Sequence, residues 1–264
     1  MSRTARLVDT MHDVDASHLT HGVEVAFHDL DLTYGTGTLA LHKITLTVRT
    51  GELVAIVGPS GCGKSSLLRL AAGLERASGG SVAVGTESVA FIFQEPTLLP
   101  WASVRRNVGL LGKLAKLPHD ELSERVDAAI RAVGLTDFAD QLPRSLSGGM
   151  RMRVSLARAL ALEPRVMLLD EPFGALDELT REEMQLQLLD LYDRRGFTAL
   201  FVTHSVSEAV LLADRVVVMS ARPGTIRDVV PIDLPRPRHR ELRFDPAYVD
   251  YVKTVSDLLR KDDR

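Results

Sequence analysis

Apolar and polar residues alternate from Val23 onward, and Val-Glu-Val-Ala-Phe at 23–27 has the period of two of a half-buried strand. The pattern continues over 31–34, turns at Gly35-Thr36-Gly37, and resumes over 40–48 through Leu41, Ile44, Leu46 and Val48. Thr50-Gly51 then leads into 53–57, a wholly apolar run that suits a strand covered on both faces. Nearly apolar runs recur at 88–93, 165–169 and 199–203, and 215–220 with 226–232 predicts a short hairpin around Ala-Arg-Pro-Gly-Thr. Helical spacing, three to four residues between apolar positions, marks 65–74, 103–116, 119–133, 151–162 and 179–194. Ala77-Ser78-Gly79-Gly80-Ser81 reads as a turn, and a stretch rich in Pro and Arg from Leu234 precedes a last helix over 246–259. Residues 1–22 are polar and aperiodic and read as a flexible arm. Its His12, His18 and His21 lack a regular ligand spacing and read as solvated. No internal repeat is present, so the chain carries one such unit.

Composition narrows the class. At 264 residues the chain can bury a large core as one α/β domain with a subdomain, and 45% hydrophobic with 25% charged residues is ordinary for a globular protein. A net charge of −3 argues against a general nucleic-acid binder. One cysteine allows no internal disulfide framework and fits a reducing compartment. No apolar run approaches the ~18–20 residues of a membrane span, and the N-terminus lacks a signal-peptide core. The expectation is a cytoplasmic protein whose membrane role, if any, runs through a partner.

The chemistry concentrates at strand ends. Gly58-Pro59-Ser60-Gly61-Cys62-Gly63-Lys64-Ser65-Ser66 lies between an apolar strand and a helix, the context of a phosphate-binding loop. Glycines let backbone N–H groups close around phosphate, and the following helix start favours negative charge. Lys64 is expected to reach the β- and γ-phosphates of a nucleoside triphosphate and Ser65 to hold Mg²⁺. Asp170-Glu171 closes another apolar strand, Asp170 suiting Mg²⁺ and Glu171 a general base for the attacking water. Gln94 and His204 end two further strands, where open α/β sheets gather ligands. Cys62, beside Lys64 and a helix start, is expected to be a reactive thiol protected by bound nucleotide. Arg236-Pro237-Arg238-His239-Arg240 reads as a solvated basic strip.

These motifs, in this order, resemble the ATP-binding cassette (ABC) family of transport ATPases over roughly residues 23–233. Tyr34 matches the aromatic residue that stacks on adenine and Gly58 to Ser66 the Walker A loop. Gln94 matches the Q-loop glutamine, which the resemblance also makes a Mg²⁺ ligand, and Leu146-Ser147-Gly148-Gly149-Met150 the signature, with Met150 in place of the usual glutamine. Walker B is matched by 166–171, the D-loop by Ala175-Leu176-Asp177 and the switch histidine by His204, after which Ser205 replaces a common aspartate. The resemblance implies a P-loop NTPase (RecA-like) core with a mixed sheet, an N-terminal antiparallel β subdomain and an inserted α-helical subdomain. It divides the chain into a core at 23–95 and 159–233, a helical subdomain at 96–158, and a C-terminal tail and helix at 234–264.

It further implies an ATPase using ATP and Mg²⁺, with Lys64, Gln94, Glu171 and His204 catalytic. A second copy of the chain, or a homologous ATPase subunit, would lend Ser147, Gly148 and Gly149 to the first copy's ATP, with Asp177 at the junction. The partners implied are integral membrane permease subunits and, indirectly, a substrate-binding protein, with no nucleic acid and a peripheral place on the inner membrane face. The stretch 93–101, Phe-Gln-Glu-Pro-Thr-Leu-Leu-Pro-Trp, and 213–224 resemble importers of nitrate, taurine and aliphatic sulfonates, where Leu98, Leu99 and Trp101 would line the permease groove. A soluble non-transport ABC ATPase and an exporter subunit are the alternatives.

Overall fold

The computed structural model describes residues 22–260. The arm expected over 1–22 and its three histidines lie, Gly22 apart, outside the described residues. The strands are β1 (Val23–Thr33), β2 (Leu39–Arg49), β3 (Leu53–Val57), β4 (Gly79–Val84), β5 (Val89–Ile92), β6 (Val166–Asp170), β7 (Thr198–Val202), β8 (Arg215–Met219) and β9 (Ile226–Pro231). β1 pairs antiparallel with both β2 and β4, forming a three-stranded sheet of order β2-β1-β4. The others form a six-stranded sheet of order β5-β6-β7-β3-β8-β9, parallel except for the β8–β9 hairpin.

The helices are α1 (Lys64–Ala71), α2 (Val104–Val108), α3 (Leu110–Leu114), α4 (His119–Ala132), α5 (Gly148–Leu160), α6 (Glu178–Arg195), α7 (Val206–Leu212) and α8 (Pro246–Arg260). The apolar strands divide their side chains between two cores. Leu53, Ala55 and Val57 of β3 face a cluster shared with α2 and α4 to α8, whereas Val54 and Ile56 face one built from α1, β1 and β2. Every residue of β3 is at most 1% exposed. Each large apolar side chain so buried stabilises the fold by about 1.5–3 kcal/mol, which holds the strand rigidly under the loop that follows it.

Two local expectations fail and one helix was not foreseen, each for an identifiable reason. The expected turn at 77–81 is already β4 from Gly79 onward. Gly80 has φ +69°, and a Cβ there would lie 2.3 Å from the Asp29 carbonyl oxygen, where β1 is irregular between His28 and Asp31. Glycine is thus needed for a close strand crossing and not for a turn. The single helix expected at 103–116 is broken at Gly109 into α2 and α3. Helix α7 was hidden by its brevity: seven residues hold too few polar positions for a period to appear.

Candidate nucleotide site

Parallel strands bring the polar strand ends to one edge. β3, β7, β6 and β5 are consecutive neighbours, so the loop after β3, His204 after β7, Asp170 and Glu171 closing β6, and Gln94 after β5 stand in that order. At ~4.8 Å per strand the row spans about 14 Å.

The loop has the compactness expected of it. A Cβ on Gly58 would lie 2.9 Å from the Cys62 Sγ, and one on Gly63, at φ +100°, 2.5 Å from Leu41 Cδ2. Gly63 precedes α1 with no side chain capping the helix, so the first-turn N–H groups are left for a ligand. Lys64 Nζ donates to the carbonyl oxygens of Gly58 (2.8 Å) and Pro59 (2.9 Å), which hold the ammonium inside the loop. Ser65 Oγ donates to Asp170 Oδ1 at 2.7 Å, and Tyr34 Oη lies 2.6 Å from Ser66 Oγ. A cavity of about 290 Å³ opens here, lined among others by Tyr34, Ser60, Lys64, Ser65, Glu171 and Arg222.

Cys62 departs from the expected reactive thiol. It is fully buried among apolar residues, and burial pushes its thiol up despite the lowering influence of Lys64. A buried, protonated thiol is a poor nucleophile.

Glu171 takes a left-handed backbone, φ +47°, and its N–H donates to the Val202 carbonyl of the adjacent strand at 3.0 Å. Such a conformation costs roughly 1–2 kcal/mol for a residue with a Cβ, and here it turns the carboxylate toward His204, whose Nε2 lies 2.6 Å from Glu171 Oε2. Gln94 is exposed outside the cavity lining, its Nε2 3.8 Å from where a Gly174 Cβ would stand. The oxygens of Ser65 and Asp170 are the hard donors that Mg²⁺ prefers.

The signature segment is built otherwise. Ser147 caps α5, its Oγ accepting from Met150 N–H at 3.2 Å, yet Ser147 and Gly148 are exposed and neither lines the cavity. Gly149 is buried against α6, where a Cβ would lie 2.2 Å from Thr180 Cγ2. Asp177 Oδ1 in turn accepts from Thr180 N–H at 3.1 Å, which draws the Asp177 carboxyl below its usual range. Met150, in the glutamine's place, packs its side chain against the core.

A family model for ABC transporters matches residues 41–174. The chain belongs to the ABC transporter family. A putative ATP-binding protein of Brucella abortus (strain 2308) is 47% identical over 232 residues, 85% of this chain and 89% of that protein. The aliphatic sulfonates import ATP-binding protein SsuB 1 of Pseudomonas syringae pv. syringae (strain B728a) is 50% identical over 206 residues, 77% of this chain and 84% of that one. Among solved structures, a dimeric post-hydrolysis state of the ATP-binding cassette MJ0796, bound to ADP and phosphate, superposes with a TM-score of 0.70 at 28% identity. It covers 80% of this chain and all of that one. The chain is an ABC ATPase that hydrolyses ATP in support of transport.

Beyond the family motifs, this ABC ATPase has a buried polar network that sequence reasoning missed. Glu208 of α7 accepts from Thr203 Oγ1 (2.6 Å) and Gln185 Nε2 (3.0 Å). Thr203 Oγ1 also accepts from Ser205 N–H, and Arg181 reaches from Glu208 to the carbonyl oxygens of Phe173 and Leu176. The network therefore joins the loop bearing His204 to the segment before Asp177. Burial pushes the Glu208 carboxyl above its usual value. Its only sequence signal is a glutamate within an apolar run.

The basic strip is solvated only in part: His239 and Arg240 are exposed, whereas Arg236 and Arg238 are not. Arg236 stacks 4.5 Å over the Tyr192 ring and pairs with Asp193 and Asp214. Arg238, 4% exposed, donates to the carbonyl oxygens of Val210, Leu211 and Ala213 at the end of α7, and its burial lowers the guanidinium to about 10. The strip closes over α7 because unpaired helix-end carbonyls need donors. Among the described residues no helix is long and apolar enough to cross a membrane.

Proposed function

We propose that this ATP-binding subunit of an ABC importer drives uptake of a small anionic solute of the alkanesulfonate type. The observation that carries the catalytic part is a pair of contacts along one sheet edge: Ser65, after β3, with Asp170 of β6, and Glu171 with His204 at the ends of the adjoining β6 and β7. Tyr34 stacks on adenine, and the loop from Gly58 to Ser66 cradles the phosphates with Lys64 at their far end. Mg²⁺ would supply charge neutralisation there, and Ser65 and Asp170, with Gln94, are the residues that would hold it. Glu171 takes the proton of the water that attacks the γ-phosphorus, and ADP leaves as the bond to its β-phosphate oxygen breaks. His204, in contact with that carboxylate, orients the water and the γ-phosphate oxygens.

Ser147, Gly148 and Gly149 serve the nucleotide held by a second copy of the chain or a homologous subunit, with Asp177 at the junction. ATP thereby bridges two subunits whose closure works a separate permease, which in turn receives solute from a binding protein. Trp101, 73% exposed, and Leu99 beside it offer apolar surface for that permease, since exposed Trp is favoured at interface centres. The subunit sits on the inner membrane face through this contact. Similarity to the sulfonate import protein supports the solute class.

The test is a host strain lacking this chain, fed an alkanesulfonate as its sole sulfur source. Growth should fail, return with the wild-type chain and not return with Glu171→Gln. Unimpaired growth without the chain, or loss of growth on nitrate alone, would assign another solute.

A further inference from the structure

We infer that Arg222 is a phosphate-binding residue of the nucleotide site, supplied by the β8–β9 loop and outside the Walker, Q-loop, signature, D-loop and switch-histidine motifs. The inference rests on the nucleotide reading of the cavity. Arg222 lines the same cavity as Lys64, Ser65 and Tyr34. One of its terminal nitrogens donates to the Gly61 carbonyl oxygen at 3.1 Å, and the guanidinium has no other hydrogen bond or ion pair among the described residues. The exposed remainder of a planar, permanently charged fork is thus anchored on the phosphate loop itself. That is the group best shaped to bind phosphate oxygens two at a time.

The loop that carries it is pre-shaped. Gly224 N–H donates to the Ala40 carbonyl and His42 N–H donates to the Gly224 carbonyl, at 2.9 and 3.0 Å, tying the loop to β2. A Cβ on Gly224 would lie 2.0 Å from the Cys62 carbonyl oxygen, so glycine there lets the loop press directly on the phosphate loop. Ser220 closes the turn, its Oγ donating to the Pro223 carbonyl at 3.2 Å and accepting from Thr225 N–H at 3.0 Å. A guanidinium on so constrained a loop loses little freedom on binding a ligand. Lys64 is held by the carbonyls of Gly58 and Pro59, so the two cations grip Gly61 and its neighbours separately and face one cavity. The rival role for Arg222 is a brace for the Gly61 carbonyl alone. The two roles differ in what a neutral donor can replace.

Calorimetric titration of the full chain with Mg-ADP, AMP and adenosine separates them. Arg222→Ala should weaken ADP binding about 5- to 20-fold, the scale of one partly solvated charged contact, and leave adenosine unchanged. Arg222→Lys should recover only part of the loss, because an ammonium keeps the charge without the two-pronged fork, whereas Arg222→Gln should be as weak as Arg222→Ala. ATP turnover at saturation should change less than about twofold, with the loss in KM. Full ADP affinity in Arg222→Gln would reduce Arg222 to a brace, and an equal loss for adenosine would move its contact to the base or ribose; either overturns the inference. Lys64→Ala in the same titration guards the premise. If it binds ADP like wild type, the nucleotide reading itself falls; if only the Arg222 variants bind normally, this inference alone falls.

Discussion

The phosphate loop and the signature segment both place glycines at the start of a helix, but they are finished to different degrees. Around the loop, Lys64, Ser65 and Tyr34 already have partners within the chain, and Gly58 and Gly63 are fixed by close neighbours. At the signature, Ser147 spends its hydroxyl on capping α5 and faces outward beside Gly148, around which a Cβ would meet nothing within 4 Å. Only Gly149 is fixed, and it is fixed from behind, by α6. The loop is a site built within one chain. The signature is a surface with a rigid back and an open front, which is what a contribution to another chain's site requires.

The contrast is sharpened most by Glu171. Glu171→Gln should slow ATP turnover at least ~100-fold at saturating Mg-ATP while leaving binding intact, and Lys64→Ala should weaken binding instead. Phosphate release and nucleotide titration on the same preparations separate the two, and near-wild-type turnover in Glu171→Gln would remove it as the base.

The rigid back of the signature is next in size. Gly149→Ala should destabilise the fold by about 1–3 kcal/mol, the usual cost of forcing a methyl into a filled space. Thr180→Ser, which deletes the opposing methyl, should restore most of the loss in thermal unfolding of the double variant. Equal melting temperatures for Gly149→Ala and wild type would show that the segment is loose on both sides.

A smaller effect is expected at Glu208, where burial raises the carboxyl pKa. The folded state holds this proton to higher pH than the unfolded chain. The stability it contributes is therefore complete below the ordinary glutamate value and is lost as pH rises through the raised one. Glu208→Gln should melt at or above wild type near pH 8, with the advantage shrinking toward pH 5. A constant difference across that range would exclude a titrating Glu208. The smallest change is expected from ATP at Cys62: the native chain should react with maleimide slowly, and at the same rate with or without ATP, because the thiol is buried and protonated until the fold is denatured.

The core of the fold was legible because buried parallel strands write themselves as unbroken apolar runs, and 53–57 coincides with β3 residue for residue. The gathering of the candidate site residues was legible where they sit at the ends of those runs, as at Asp170, Glu171 and His204. What escaped depends on contacts far apart in the chain. Gly79-Gly80 looks like a turn until Asp29 is seen against it. Arg238 looks solvated until the carbonyl oxygens ending α7 are placed beside it. The roles of Glu208 and Arg222 escape a local reading, since Glu208 meets Gln185 from 23 residues away and Arg222 meets Gly61 from 161. Cys62 was misjudged because the charge of its neighbour Lys64 is visible in sequence, and its burial is not.

The central claim is that each nucleotide is held between the loop of one copy and the signature of another. Light scattering of Glu171→Gln at up to ~100 μM, with and without Mg-ATP, measures this directly, since a ligand that binds only the assembled form drives assembly by mass action. The account predicts monomers without ATP, dimers with it, and monomers under both conditions for the Ser147→Arg, Glu171→Gln double variant. ATP-driven dimerisation of the double variant as strong as that of Glu171→Gln would contradict it.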